Sequence, residues 1–500
     1  MSEQSKLLEE MLARAEISVK ALGEQVAELE RSQDLVALEG TILETVLRLG
    51  AGLLGMVLTS WAANLAAEAG TRRPCVWGCG GMARWVELRA KTILTLLGKV
   101  TYRRVYYDCE SKGCQHGEAL GDRQWGLEHT RTTPGVKQLL GYVSASIVGF
   151  TAAARLVCRT LHWPERWLSG KQVQRLAEPL GTRLGEAEAA RIARWWKMAT
   201  TGLTASFEGS ARQVYEGAVK QAQETASDRF YIQMDGTMAR VRGWLGKGSD
   251  VFREVKVGAV FWATTGRHAS KLAELVAKTA DALDPVARTF VDTPKGPVTY
   301  VAGLLTAADF GVRLYAEALL RGVERAAQVV ILGDGALWIW KLAEEHFPGA
   351  IQILDFWHAS EWVWKVAKAV WGQGSAKATE WAEGVIANHL IGGDAFGLVA
   401  AIAALPAVVP EPGEQKSVPE HAMEYFQNNA HRMRYSEYRA LGLEIGSATV
   451  ESAGKRVVGQ RCKAPGMRWS EEGLTAILKL RTNVLNDRYD LSLTDLQEAA

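Results

Sequence analysis

Leu8, Leu12, Ala15, Val19, Leu22, Val26 and Leu29 recur at alternating steps of four and three, which keeps one apolar stripe along a helix. Such a stripe serves either a dimerising coiled coil or a hairpin with the next helical stretch, Leu35 to Ala69, because a coiled coil this short is marginal alone. Within that second stretch, Leu49 to Ala67 is uncharged and approaches the roughly 20 residues of a membrane span. It also carries Gly50, Gly52, Gly55, Thr59, Ser60 and Asn64, a composition that predicts a buried helix. Strand-like runs follow at Ala83 to Leu88 and Val100 to Tyr107. Residues 133–200 return to a helical period, punctuated at Trp163-Pro164 and Leu180-Gly181. From Asp228 the period changes again: Phe230–Met234, Val255–Ala263 and Val298–Ala302 read as strands, Ala307–Gly322 as a helix, and Gln328–Leu332 and Ala350–Leu354 as two more strands. This alternation predicts an α/β domain with a mixed sheet. Residues 359–445 are helical once more, broken by a loop at Pro406, Pro410, Pro412 and Pro419.

A chain of 500 residues exceeds one ordinary domain, and at roughly 150 residues each it divides into about three. With 48% hydrophobic and 23% charged residues it can bury substantial cores, which excludes a disordered chain. The pattern changes mark segments 1–70 (helical), 71–130 (cysteine-bearing), 131–225 (helical), 226–358 (α/β), 359–445 (helical insertion) and 446–500 (C-terminal helices). A formal net charge of +2 does not announce a polyanionic partner, so any such surface must come from segregation. Segregation is present: residues 1–40 hold nine acids against four bases, and residues 431–468 hold eight bases against three acids. The acidic start MSEQSKLLEE lacks the basic end and apolar core of a signal peptide, so a reducing, cytoplasmic setting without membrane insertion is expected.

Four of the six cysteines form two knuckles, Cys75-x3-Cys79 and Cys109-x4-Cys114. In a reducing compartment, paired thiols separated by strands point to a tetrahedral, structural Zn2+ site in a zinc-ribbon-like module, with His116 as a competing ligand. Downstream, Phe150–Leu161 and Gly170–Leu180, the latter capped by Ser169, read as a helix-turn-helix. Its second helix offers Lys171, Gln172, Gln174 and Arg175 toward base edges or phosphates, although many core helix pairs share this pattern.

Two predicted strands close on an acid followed by glycine: Met234-Asp235-Gly236 and Leu332-Gly333-Asp334-Gly335. An acid at a strand end is held rigidly while its carboxylate faces a cleft, which suits a hard divalent cation, although Asp-Gly turns after strands are common. A third acid, Glu451, stands among small residues in Gly446-Ser447-Ala448-Thr449-Val450-Glu451-Ser452-Ala453-Gly454, with Lys455 and Arg456 one turn on. Glu451 and Lys455 also fit a plain surface ion pair. The run Lys455, Arg456, Arg461, Lys463 and Arg468 is a candidate DNA-binding face. Asp355 could cap a helix that begins beside His358, and that histidine could orient a phosphate or move a proton. Of 18 tryptophans, most are expected in cores, including Trp338, Trp362 and Trp381 within the helical insertion.

The ordered set Met234-Asp235-Gly236, Gly333-Asp334-Gly335-Ala336, Asp355-Phe356-Trp357-His358-Ala359, Gly446 to Lys455, and Arg461-Cys462-Lys463 to Gly466-Met467-Arg468-Trp469 resembles bacterial insertion-sequence DDE transposases. Among them it is most similar to the Kra-type family related to Mutator-like transposases. The resemblance covers about residues 225–490. It implies an α/β RNase H-like catalytic core with a helical insertion over 359–445, preceded by an N-terminal helical region, a zinc-ribbon-like module and a helical DNA-binding domain. It implies Asp235, Asp334 and Glu451 as ligands of two Mg2+ (or Mn2+) ions, with Asp355-x2-His358 as an auxiliary motif. Two such ions stabilise the entering and leaving oxygens of a phosphodiester, so water and then a freed 3′-hydroxyl can serve as nucleophile. The expected partners are double-stranded DNA, as transposon ends and target, and further copies of the chain in a homodimer or larger assembly, nucleoid-associated in the cytoplasm. An inactive DNA-binding regulator and a nuclease without strand transfer share the same residues.

Overall fold

The computed structural model describes residues 3–30, 34–114, 116–201, 229–242, 250–267 and 290–498. Residues 202–225 of the predicted helical DNA-binding segment, and Asp228, lie outside the described residues. The chain divides into two compact units, Met1–Leu180 and Gly181–Ala500.

The first unit opens with helices α1 (Glu3–Leu29) and α2 (Leu35–Ala69), which pack on one another as a hairpin. Asp34 caps α2 by accepting the Val36 and Ala37 amides at 3.0 and 3.1 Å. The predicted burial of α2 does not hold: only Gly55, Leu58 and Ala62 are fully buried, and the helix is long and apolar enough to cross a membrane by length and composition. The reason is that α2 is covered only by α1 and, along one side, by a sheet. There it lies on a four-stranded antiparallel sheet ordered β1 (Arg72–Pro74), β2 (Met82–Thr95), β3 (Gly98–Cys109) and β4 (Gly117–Ala119). Gly55 permits the approach, since a Cβ there would meet the Thr101 carbonyl oxygen at 2.8 Å, and the Thr59 hydroxyl accepts the Arg103 amide at 3.1 Å. Strands β2 and β3 extend well beyond the predicted apolar runs because a long hairpin continues the ladder through Arg89, Lys91, Arg103 and Arg104. The polar charge within is satisfied: buried Asp122 accepts from Lys91 (2.8 Å), Tyr102 (2.6 Å) and Arg104 (3.1 Å).

Helices α3 (Pro134–Ser146), α4 (Phe150–Thr160) and α5 (Gly170–Thr201) follow. A core of Val136, Leu140, Ala153, Ala154, Val157, Cys158, Trp163, Leu168 and Val173 joins the first two to the start of α5. The stop predicted at Leu180-Gly181 is absent. Pro179 lies inside α5, where it removes one backbone hydrogen bond without ending the helix.

The second unit is built on a five-stranded sheet of order β7-β6-β5-β8-β9, from β5 (Arg229–Val241), β6 (Val251–Arg267), β7 (Phe290–Gly303), β8 (Gln328–Gly333) and β9 (Ile351–Leu354). Strands β5, β6 and β7 pair antiparallel; β8 and β9 join β5 in parallel. The parallel pairings require crossovers, supplied by α6 (Ala307–Leu320) between β7 and β8 and α7 (Leu337–His346) between β8 and β9. Central strands read as unbroken apolar runs because both faces are covered: Phe230 to Ile232 and Val330 to Leu332 are wholly buried.

Helices α8 (Phe356–Trp371), α9 (Ala376–Val385), α10 (Ala395–Ala403), α11 (Val418–Asn429) and α12 (Tyr435–Ala440) form the predicted helical stretch and share one hydrophobic core with the sheet. Pro419 begins α11 rather than breaking the stretch, since a first-turn proline loses no helical bond. Trp362 and Trp381 pack in this stretch as expected, but Trp338 belongs to α7, edge-on to Phe310. The chain closes with α13 (Ala448–Ala453), a π turn over Gly454–Gly459, α14 (Glu471–Leu485) and α15 (Tyr489–Glu498).

Candidate active site

Strand β5 does not end before Asp235, as the apolar run suggested. It continues to Val241 because β6 pairs with it along its whole length. Its pairing with β8 stops at Met234 opposite Gly333, so Asp235 stands where the parallel half of the sheet opens. Asp334 directly follows β8 on the neighbouring strand, and its Oδ1 accepts the Ala336 amide at 2.9 Å in a tight turn. Gly335 has φ +101°, and a Cβ there would meet Tyr425 at 2.6 Å, so glycine is required on both counts. Tyr425, from α11, donates to the Asp334 carbonyl at 2.8 Å and braces this turn.

Ligand atoms of Asp235, Asp334 and His358 lie within 4.8 Å of one another, and all three residues are half-buried. Burial, followed by the charge of Asp334, pushes the Asp235 carboxyl up to about 6. His358 is held by Asp355, whose Oδ1 accepts the His358 amide at 2.8 Å and lies 3.4 Å from Nδ1. The Asp355 carboxylate beside Nδ1 raises the imidazole to about 9 against the opposing effect of burial. Asp355 is fully buried; burial alone would raise its carboxyl, but bonds from His358 and the Ser447 amide hold it below the usual carboxylate range. Asp355 therefore caps α8, as its sequence position suggested, and also fixes the start of the segment leading to Glu451.

Glu451 sits in the first turn of α13, which packs on β5 and β6. Its negative charge is felt at Asp235, although its carboxylate is outside the close group of three. It faces Lys455 at 3.7 Å, both side chains being solvent-accessible. Lys463 donates to the Thr237 hydroxyl, two residues past Asp235; burial lowers its pKa, countered by the charge of Asp235.

The predicted basic face divides. Lys455, Arg456, Lys463 and Arg468 reach the surface, Arg468 with Asp250 at 3.3 Å. Arg461 does not: it is fully buried with its guanidinium 5.1 Å from the Trp469 ring centroid, which removes it as a DNA contact. A buried arginine on an aromatic face is a packing element, and adjacency to other bases in sequence could not distinguish it.

In the first unit the four cysteines converge. Their sulfurs lie within 4.8 Å of one another, with Cys75–Cys114 at 3.8 Å and Cys79–Cys109 at 3.5 Å. A tetrahedral Zn–S bond of 2.3 Å places sulfurs about 3.8 Å apart, so this cluster could hold zinc. His116 stacks on Trp77 with Nδ1 3.6 Å from Cys114 Sγ, beside the four sulfurs. Lys171 and Arg175 lie exposed one turn apart on α5, whereas Gln172 is bound to Ser169 and Gln174 to Glu178. Arg155 and Arg159 on α4 are exposed as well; residues 131–180 hold seven bases against two acids, a segregation the sequence already contains.

Sequence reading missed Gln233, Glu444 and Tyr425. Gln233 had one legible signal, a polar residue inside an apolar strand two positions before Asp235. Neither the family models nor the curated proteins contain a match to this chain.

Proposed function

We propose that the chain is a DDE transposase with an RNase H-like core, catalysing metal-dependent DNA cleavage and strand transfer at the ends of an insertion sequence. The observation that carries this reading is the convergence of Asp235 and Asp334 at the opening of two parallel strands, where the charge of Glu451, far along the chain, is also felt. The strand order, three antiparallel strands continued by two parallel ones, supports the same reading.

The residues fit hard divalent cations. Two carboxylates face each other closely enough to impede ionisation of Asp235, a cost that bound cations remove. Asp235, Asp334 and Glu451 would hold Mg2+ or Mn2+, which when bound supply Lewis-acid stabilisation to both oxygens of an in-line phosphodiester exchange. His358, beside the two aspartates, could orient a phosphate or move a proton, and Lys463 can contact the DNA backbone beside Asp235. Lys171 and Arg175, on the third helix of a three-helix unit, would engage duplex DNA at the element's ends.

Asp235→Asn and Glu451→Gln should each abolish nicking of end-bearing DNA in Mg2+ while retaining DNA affinity. Continued nicking by either variant overturns the assignment, and integrated product separates a transposase from a nuclease without strand transfer.

A further inference from the structure

Four side chains of β5, Arg229, Tyr231, Gln233 and Asp235, alternate onto one face of the strand. The first three hold the segment that leads to Glu451. Arg229 donates to the Leu441 carbonyl at 2.7 Å, and Tyr231 Oη accepts the Glu444 amide at 3.1 Å. Gln233 is fully buried and makes two contacts: its Oε1 accepts the Val450 amide at 3.0 Å, and its Nε2 donates to Glu444 Oε2 at 3.4 Å. The segment is therefore fastened to β5 by side chains at every second position rather than by a strand ladder.

The last of these fastenings falls at the residue before Glu451. Helix α13 runs on without a break through the π turn to Cys462, and its first-turn amides have no partner inside the helix. Ser447 supplies no side-chain cap; its own amide is held by Asp355. A helix start with no side-chain cap of its own depends on whatever else holds its first amides. Its start is fixed from β5 by Gln233 and from the end of β9 by Asp355, and those strands flank β8, which carries Asp334 to its end.

We infer that Gln233 is a positioning residue: through the Val450 amide it sets the reach of Glu451 toward the aspartate pair, and with it the affinity of the ion that Glu451 holds. The inference rests on the proposed two-ion site. Only a carboxamide serves here without penalty, because it accepts from Val450 while donating to Glu444; an aliphatic side chain would orphan a buried amide.

The test uses the full chain, Mn2+ alone observed by electron paramagnetic resonance, and a Mg2+ series for cleavage of end-bearing DNA. Gln233→Met should weaken one of two Mn2+ ions about tenfold, the equilibrium equivalent of one hydrogen bond, and raise the Mg2+ needed for half-maximal cleavage by a similar factor. DNA affinity should stay within about twofold of wild type. In a Glu451→Gln background, Gln233→Met should have no further effect on Mn2+ affinity, because Gln233 acts through Glu451. Unchanged Mn2+ affinity in folded Gln233→Met, or full additivity with Glu451→Gln, overturns the inference. If the methionine variant does not fold, Gln233→Glu combined with Glu444→Gln keeps the oxygen that accepts from Val450 and exchanges donor and acceptor in the second bond, so it should bind Mn2+ close to wild type; a tenfold loss there overturns it equally. Failure of the underlying reading is distinct: wild type would bind no pair of Mn2+ ions, or Asp235→Asn would still cleave.

Discussion

Replacing Asp235 by asparagine should stabilise the metal-free protein at neutral and alkaline pH while it destroys activity. The carboxyl is raised from 3.8 to about 6, first by burial and then by Asp334. Between those values the folded protein keeps a proton that the unfolded chain has released, so stability falls as pH rises through that window and the whole loss is present above about 6. At 1.36 kcal/mol per pH unit the displacement is worth at most roughly 3 kcal/mol, and solvent screening at this half-open site reduces it to about 1–2 kcal/mol. Asparagine keeps the oxygen that accepts the Gly236 amide (2.7 Å in the wild type) and removes the charge. Thermal unfolding in a chelating buffer should then show the transition of the Gly181–Ala500 unit raised by about 2–5 °C at pH 8, with the difference vanishing near pH 4. Added Mg2+ should raise the wild-type transition and leave the variant's unchanged, because only the wild type gains a cation bound to the folded state. A variant that is less stable than wild type at pH 8, or equally displaced at pH 4 and pH 8, refutes the reasoning that burial and Asp334 outweigh the compensation His358 and the Gly236 amide give Asp235.

Other outcomes follow from the same geometry. Mass spectrometry of the native protein should find one zinc per chain, and Cys79→Ser should abolish it and lower the transition of the Met1–Leu180 unit. Lys171→Ala and Arg175→Ala should each weaken DNA binding uniformly across sequences and reduce the slope of log affinity against log salt by about 1, measured by fluorescence anisotropy. Asp292 is almost wholly buried between Arg229 (3.0 Å), Tyr231 (2.7 Å) and Thr265 (2.7 Å); Asp292→Ala should cost about 3 kcal/mol in denaturant unfolding by removing the acceptor these three share. Gly55→Val should separate α2 from β3 and destabilise the first unit, because its Cβ would collide with the Thr101 carbonyl, whereas Gly23→Ala meets nothing and should be tolerated.

Elements are encoded locally, and most of them can be read from a few neighbouring residues. Helix α2 runs from Leu35 to Ala69 as its period indicated, and β8 differs from its predicted run by one residue, because apolar periodicity and caps act over a few neighbours. The cysteine knuckles were legible for the same reason. Tertiary structure decided what depends on a partner strand or a distant segment. Strand β5 passes through Asp235 because β6 accompanies it to Val241, a fact about pairing that no local pattern contains. Arg461 reads as one more surface base until packing buries it against Trp469. Above all, the amides of Ser447 and Val450, just ahead of Glu451, are held by buried side chains at the end of β9 and on β5, long-range bonds invisible in the order of residues.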